Sequence, residues 1–165
     1  MKLTSIETEK DFDEQYKSEI WFEAAKEICR KHQFAIDEIK RAGGSEHIVF
    51  FIDDEFVLKI YRPFRECFER EVKAIELVGS KTDFKIPDII NHGAFERFPY
   101  VLMTRVKGDL MTRVEWLEIP EKAQFEFISK LAVGLKQIHA LSPDRVENNW
   151  AEFVRDRAET FIERQ

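Results

Sequence analysis

The spacing of apolar residues divides the chain into helical and strand-like segments. From residue 13 to about residue 32 apolar residues recur every three or four positions, which predicts an amphipathic helix. Between residues 34 and 61 the spacing becomes that of strands, and polar turn segments at 43–45 and 53–55 separate three apolar runs. The runs at residues 35–42, 48–52 and 56–61 therefore predict a three-stranded meander.

Helical spacing returns after Pro63, at residues 64–78, and Gly79 is expected to end this helix. Two more strands are predicted at residues 86–95 and 100–106, joined through residues 96–99. The remaining chain has helical spacing, in segments at 110–117, 120–141 and 149–165. Five strands with one helix inserted after the third, followed by helices, predict an α+β fold. The predicted elements change from strands to helices near Gly108.

The composition limits the classes of protein and partner. At 165 residues, with 44% hydrophobic residues, the chain can bury one sizeable core. Its 32 Asp and Glu against 26 Lys and Arg disfavour a nucleic-acid partner, which requires a basic face. No apolar run has the length of a membrane span and no signal peptide follows Met1, so we expect a cytoplasmic protein with no membrane partner. Cys29 and Cys67 are expected to be core residues, without a disulfide or a zinc ion.

Lys59 and Glu71 are charged residues at positions that the pattern assigns to apolar surfaces. Strand alternation places Lys59 on the same face as Val57 and Tyr61. Glu71 falls inside the apolar stripe of the following helix, whose other members are Phe64, Cys67, Phe68, Ile75 and Val78. Because ions facing a core are costly unless they pair or bind a ligand, this predicts an ammonium group held where phosphate oxygens bind. The alternative is a lysine that reaches solvent at a strand edge and a glutamate at the margin of its stripe.

Gly43, Gly44 and Ser45 lie between the first two predicted strands. Glycines permit close approach of the backbone to a ligand, and exposed backbone amides attract phosphate. The loop could therefore fold over a ligand that rests on the sheet near Lys59. The alternative is an ordinary hairpin turn.

Six segments carry a further signal, and in chain order they are RAGGSEHIVFFI, FVLKIYRP, FEREVKAIELV, IPDIINHG, YVLMTRVKG and LKQIHAL. Their order and spacing resemble the aminoglycoside phosphotransferase family, which has the bilobal protein-kinase-like fold. The resemblance covers residues 36–141 and implies a kinase-like N-lobe, a five-stranded antiparallel sheet with an αC-type helix. It implies an N-terminal helical segment at 1–33, a nucleotide-binding lobe at 34–107, and the first helices of a helical lobe at 108–165, truncated before the catalytic loop.

The resemblance implies a role for each matching residue around the phosphates. Lys59 would pair with the α and β phosphates of a nucleotide, and Glu71 would orient Lys59. Gly43, Gly44 and Ser45 would form the loop over the phosphates. The cofactor implied is ATP or GTP with magnesium.

Residues 103–106 resemble the hinge between the two lobes of that family. Met103 precedes the two backbone groups that would hydrogen-bond the base, the carbonyl of Thr104 and the amide of Val106. Because these contacts run through the backbone, the side chains do not distinguish ATP from GTP.

The catalytic segment of the family is missing from this sequence. It consists of His-Gly-Asp with an asparagine five residues after the aspartate, and a second aspartate follows to bind magnesium. None of the four histidines, His32, His47, His92 and His139, is followed two positions later by aspartate. We therefore expect neither a catalytic residue nor a metal ligand in this chain, which would bind nucleotide without turnover.

Three functions stay open at this point. The first is the nucleotide-binding portion of a kinase that phosphorylates a hydroxyl of a small molecule. The second is a non-catalytic kinase-like module that docks a partner, or a second copy of itself, through the helix at 149–165. The apolar stripe of that helix consists of Trp150, Phe153, Val154, Ala158, Phe161 and Ile162. The third is an α+β domain whose likeness to kinases is coincidental.

Overall fold

A five-stranded antiparallel sheet forms the centre of the protein in the computed structural model, which describes residues 3, 6–64, 66–109 and 111–141. The strands are β1 (Ile39–Arg41), β2 (Ile48–Ile52), β3 (Phe56–Ile60), β4 (Ile89–Phe95) and β5 (Phe98–Thr104). The helices are α1 (Glu9–Gln15), α2 (Ile20–Lys31), α3 (Cys67–Val78), α4 (Arg113–Glu118) and α5 (Glu121–His139). The strand order is β1-β2-β3-β5-β4, which confirms the predicted α+β fold with an antiparallel sheet.

The single N-terminal helix predicted at residues 13–32 is wrong, because the structure has two helices there. Helix α1 starts earlier, at a capping box in which the Thr8 side chain accepts from the Asp11 amide at 3.2 Å and Asp11 accepts from the Thr8 amide at 2.8 Å. Helix α1 ends where the indole N–H of Trp21 donates to the carbonyl of Gln15 at 2.8 Å. A side chain thus satisfies a carbonyl that a continuing helix would otherwise have used.

The fifth strand begins two residues before its predicted start. Glu96 has a positive φ of 54° and closes a tight turn with Arg97, so that pairing with β4 resumes at Phe98. Pro99 contributes its carbonyl, which accepts the Tyr61 amide at 2.7 Å. A proline is tolerated here because it lies at the beginning of the strand, where one missing donor is not needed.

Most of the other predicted elements are present with shorter bounds, whereas β2 has the predicted bounds and α4 ends one residue later than predicted. Strands β1 and β4 are shorter than the predicted runs, and α3 begins at Cys67 instead of residue 64. Gly79 follows α3 with a φ of 38°, and the helix ends there as predicted. The helix predicted at 149–165 lies outside the described residues.

One face of the sheet packs against α1 and α2, and we call it the packed face. Alternate strand residues on this face are almost inaccessible to solvent. They are Ile48, Phe50, Ile52, Leu58, Ile60, Phe98, Tyr100 and Leu102. The ring of Trp21 lies 5.2 Å from that of Phe12 and 5.2 Å from that of Phe98, so aromatic contacts join both helices to the sheet.

The opposite face carries Lys59, and we call it the lysine face. Its strand residues are Val49, Phe51, Val57, Lys59, Val101 and Met103, and Tyr61, directly after β3, packs with the last two. Helix α3 covers part of this face, with Val72 buried and Phe68 and Ile75 packed against the same cluster. Val49, Phe51 and Val57 remain only partly covered. The lysine face is therefore half open along β2 and β3.

Both cysteines are free. Cys29 is fully buried in the packed core. Burial, with the negative charge of Asp53 as a smaller cause, raises the pKa of the Cys29 thiol to about 11. This thiol is therefore un-ionised and unreactive at neutral pH. Cys67 packs against the α3 side of the lysine face.

Helix α5 is attached to the segment that connects α3 to β4. A Cβ atom at Gly134 would lie 1.9 Å from the Phe84 ring, so the ring packs directly on the helix backbone. Gln137 accepts the Asp83 amide at 2.9 Å and donates to the Asp83 carboxylate at 2.5 Å. Elsewhere α4 and α5 expose large apolar side chains: Val114, Leu117, Phe125, Phe127, Ile128, Leu131, Val133 and Leu135. Across the described ranges, none of the helices has the length and apolar character needed to cross a membrane.

Candidate functional site

Lys59 and Glu71 form an ion pair on the lysine face, as the sequence pattern predicts. The Lys59 Nζ lies 2.5 Å from Oε2 of Glu71, and their side chains are 18% and 31% exposed. Strand β3 carries Lys59 between Val49 of β2 and Val101 of β5, and α3 supplies Glu71. The surrounding strands and helix hold the ammonium group in place while leaving it partly accessible. It can therefore receive an anionic ligand.

Tyr61 packs against the buried side of this ion pair. Its ring is fully buried, and the Lys59 Nζ lies 4.8 Å from the ring centroid in a cation–π contact. The hydroxyl lies beside the Glu71 carboxylate, but no group in the described ranges gives it a hydrogen bond of normal geometry. Burial, followed by the charge of Glu71, raises the pKa of Tyr61 well above its ordinary value, so the phenol stays neutral.

His47 is a buried polar residue beside the same cluster, and the sequence patterns assign it no role. Its imidazole is 8% exposed, lies 4.9 Å from the ring of Tyr61, and accepts the Arg62 amide on Nδ1 at 3.4 Å. Burial, followed by the positive charge of Lys59, lowers the pKa of His47, so the ring is neutral at neutral pH. Strand alternation with Val49 is the signal that could have placed His47 on the lysine face.

The glycine loop, residues 43–45, lies between β1 and β2 at one end of the sheet. The Ala42 amide donates to the Val49 carbonyl at 2.9 Å, and Val49 pairs with Lys59, so the loop leaves the sheet two strands from the ammonium group. Gly44 has a positive φ of 73°, and a Cβ atom at Gly43 or Gly44 would meet no atom within 4 Å. Both glycines are exposed, and the space beside them is open to a ligand.

The predicted hinge residues lie at the end of β5 and beyond it. Met103 pairs with Val57 and is almost buried on the lysine face. Asp88 anchors the next residue, because the Thr104 amide donates to the Asp88 carbonyl at 2.9 Å and Thr104 Oγ1 accepts the Asp88 amide at 2.8 Å. Val106 follows the strand and is exposed, and its amide makes no hydrogen bond within the described residues.

An apolar strip runs between the ion pair and the hinge, and the sequence patterns did not single it out. Its members are Val49, Phe51 and Val57, which are neighbours through the pairings of β2 with β3. Arg105 borders the strip, with its guanidinium carbon 4.2 Å from the centroid of Phe51 and an ion pair to Asp54. A half-exposed apolar surface of this kind can stack against a flat, largely apolar ligand group.

The lysine face and the segments that adjoin it thus combine a fixed ammonium group, a loop with exposed glycines, an apolar strip, and an exposed residue, Val106, whose amide makes no hydrogen bond within the described residues. This combination fits a ligand with phosphate groups at one end and a flat heterocycle at the other. A metal site is a separate question. Within the ranges that the structure describes, no group of three or more His, Cys, Asp or Glu residues could hold a metal ion.

Known proteins share both the sequence pattern and the fold of this chain. A family model, that of the phosphotransferase enzyme family (APH), matches residues 38–165. Among curated proteins there is no match. The solved structure of the ADP-bound aminoglycoside phosphotransferase APH(2'')-Ib is similar with a TM-score of 0.62 at 20% identity, covering 82% of this chain and 48% of that one. The GDP complex of wild-type aminoglycoside 2'-phosphotransferase-IIIa gives a TM-score of 0.66 at 14% identity, covering 76% and 43%.

A third structure, the ternary complex of APH(2'')-IIa with streptomycin and ATP, has a TM-score of 0.62 at 19% identity and covers 82% of this chain and 48% of that one. The chain thus spans less than half the length of these structures. At these identities the structural likeness establishes the kinase-like fold. The family model covers well over half of the chain, and the chain therefore belongs to the phosphotransferase enzyme family.

Proposed function

We propose that this chain is the nucleotide-binding part of a kinase that transfers the γ-phosphate of ATP or GTP to a hydroxyl group of a small molecule. The observation that carries the proposal is the ion pair between Lys59 and Glu71, at 2.5 Å, on a partly open sheet face. Phosphoryl transfer by kinases depends on such a pair, because the carboxylate holds the lysine where it contacts the α and β phosphates.

The other parts of the site have roles consistent with this one. Gly43, Gly44 and Ser45 would cover the phosphates with backbone amides. The base would lie on the apolar strip beside Met103 and hydrogen-bond the carbonyl of Thr104 and the amide of Val106. The complexes of the similar structures with ADP, GDP and ATP support a nucleotide ligand, and those with kanamycin and streptomycin support a small-molecule acceptor.

Catalysis itself is assigned to residues that this chain lacks. The sequence contains no His-x-Asp segment, so no side chain of the expected type accepts the proton of the acceptor hydroxyl. Magnesium would neutralise charge on the phosphates, and the described residues do not fit a magnesium site. We therefore propose that the 165-residue chain binds nucleotide but does not turn it over.

Isothermal titration calorimetry of the full chain with MgATP and MgGTP tests this proposal. Lys59→Ala should weaken the affinity for the preferred nucleotide by about tenfold or more, because it removes a charge-assisted contact worth roughly 1.5–3 kcal/mol. The matched control is Lys26→Ala, which removes another ion-paired lysine, 2.9 Å from Glu23 on the surface of α2. Lys26→Ala should bind like the wild type. Equal affinities for wild type and Lys59→Ala, or no binding by the wild type, would contradict the proposal.

A second candidate function is a non-catalytic module that associates through its helical part. The stripe predicted at residues 149–165 lies outside the described residues, but α4 and α5 expose a set of apolar side chains, among them Val114, Leu117 and Phe125. Sedimentation velocity over a range of concentrations tests this second candidate, since a monomer at every concentration argues against self-association. The domain bounds at 34–107 and 108–165 and the cytoplasmic location stay predictions.

A further inference from the structure

We propose that helix α1, with Tyr16 directly after it, is a latch that fixes the conformation of the glycine loop, and that Tyr16 and Arg62 are positioning residues for the nucleotide phosphates. The inference rests on the proposed function of the loop and adds a part of the molecule that the functional site does not include. Helix α1 lies on the packed face, whereas the loop leads into β2, whose Val49 pairs with Lys59 on the lysine face. The latch connects these two sides of the sheet.

Tyr16 forms the first contact of the latch. Its hydroxyl donates to the carbonyl of Ser45 at 2.5 Å and lies 3.4 Å from the carbonyl of His47. Both acceptors are in the chain segment that leads from the glycine loop into β2. In a trans peptide the carbonyl and the following N–H point in opposite directions. Fixing the Ser45 carbonyl toward α1 therefore turns the next amide away from α1.

Arg62 forms the second contact and lies two residues after the end of β3. Its guanidinium donates to the carbonyl of Glu46 at 2.7 Å and pairs with the carboxylate of Asp13 at 2.8 Å. The same group lies 4.6 Å from the ring centroid of Phe12. The Arg62 side chain is 12% exposed and that of Asp13 is 60% exposed, so the guanidinium is held by its neighbours while the ion pair itself is open to water. Arg62 thus ties the loop to α1 and to the strand that carries Lys59.

Arg41, the last residue of β1, contacts Tyr16 from the strand that precedes the loop. Its guanidinium lies 4.8 Å from the ring centroid of Tyr16 and also donates to the Tyr16 carbonyl. Helix α1 itself is firmly placed, because Phe12 is fully buried and packs on Trp21. The latch therefore has a rigid base and two hydrogen bonds to consecutive carbonyl groups, that of Ser45 at the end of the loop and that of Glu46 directly after it.

The loop needs such a latch because its own residues do not fix its shape. Gly43 and Gly44 have no neighbouring atoms where a Cβ would lie, and glycine gives the backbone wide freedom. A free loop would lose entropy on closing over phosphates, and a loop already held in one conformation loses less. The contacts of Tyr16 and Arg62 should therefore increase the affinity for phosphate groups and leave binding of the base unchanged.

The test compares Tyr16→Phe with Tyr100→Phe in the full chain. Each variant removes one phenolic hydroxyl, and that of Tyr100 bonds His32 at 2.6 Å on the packed face, away from the loop. NMR titrations compare the affinity for MgATP with that for adenosine, and the affinity for MgGTP with that for guanosine. We expect Tyr16→Phe to lower the affinity for the nucleoside triphosphate by about 3- to 10-fold, which corresponds to the loss of one hydrogen bond. The affinity for the nucleoside should be unchanged. Tyr100→Phe should lower stability at least as much without changing the ratio of the two affinities.

Hydrogen exchange of the free protein gives a readout that needs no ligand. The amides of residues 43–47 should exchange severalfold faster in Tyr16→Phe than in the wild type, and still faster in Tyr16→Phe with Arg62→Gln. Unchanged loop exchange, or an equal loss of affinity for triphosphate and nucleoside, would overturn the latch. If the wild type binds no nucleotide, the proposed function fails, and loop exchange still supports or overturns the latch.

Discussion

The packed face and the lysine face consist of alternate residues of the same strands, but their polar groups are treated differently. On the packed face the Tyr100 hydroxyl bonds His32 Nε2 at 2.6 Å, and the other ring nitrogen of His32 bonds Asn91 at 2.8 Å. On the lysine face the Tyr61 hydroxyl is buried without such a bond and Lys59 is partly exposed. The packed face thus pairs its tyrosine, histidine and asparagine with one another, and the lysine face keeps charge accessible for a ligand.

This difference shows how one sheet can separate stability from binding. The packed face has aromatic and aliphatic layers that exclude water, which is the main source of folding energy. The lysine face gives up part of that burial along Val49, Phe51 and Val57, where a ligand can complete the packing. Substitutions on the packed face should therefore affect unfolding first, and substitutions on the lysine face should affect nucleotide affinity first.

The largest effect is expected from Trp21→Ala on the packed face. Trp21 is fully buried between Phe12 and Phe98, so truncation leaves a cavity and should lower the free energy of unfolding by about 3–5 kcal/mol. Urea denaturation followed by circular dichroism measures this change. The control is Phe125→Ala, a large residue that is 71% exposed and whose loss should cost no more than about 0.5 kcal/mol. Similar stabilities for the two variants would contradict the assignment of Trp21 to the packed core and of Phe125 to the surface.

An intermediate effect, mainly on affinity, is expected from Glu71→Gln on the lysine face. The amide keeps the size of the side chain but removes the charge that holds Lys59, so MgATP or MgGTP affinity should fall about tenfold. The free energy of unfolding should change by less than about 1 kcal/mol, because the pair is partly exposed. Calorimetry and urea denaturation are compared with the control Glu76→Gln, an exposed glutamate of the same helix. A stability loss with unchanged affinity would make the pair purely structural.

The smallest effect is expected in the pH dependence of stability. The folded-state pKa of His47 lies below its unfolded value, so the unfolded chain binds the proton more readily. The contribution of neutral His47 is complete above the unfolded pKa, near 6.5, and is lost as the pH falls toward the folded pKa. The variant His47→Gln should therefore lose less stability than the wild type between about pH 6.5 and pH 5, measured by urea denaturation. Parallel pH curves for the two proteins would show that His47 titrates normally.

Patterns along the sequence predicted the elements well where one periodicity held throughout. Alternation in β3 placed Lys59 and Tyr61 on one face, and the stripe of α3 brought Glu71 to the same place. The same reasoning failed between α1 and α2, because the contact of Trp21 with the Gln15 carbonyl breaks a helix that the apolar spacing joins. It also placed Pro99 in a turn, whereas the positive φ of Glu96 closes that turn earlier.

The sequence by itself determined which side chains share a face and which segments belong to the kinase-like family, because periodicity fixes the direction of a side chain relative to its own element. Only the tertiary structure decided which elements meet. It inserted β5 between β3 and β4, buried His47 against Tyr61 and brought Tyr16 to the glycine loop 29 positions later in the chain. Such contacts depend on how the whole core packs, so no local pattern of residues encodes them.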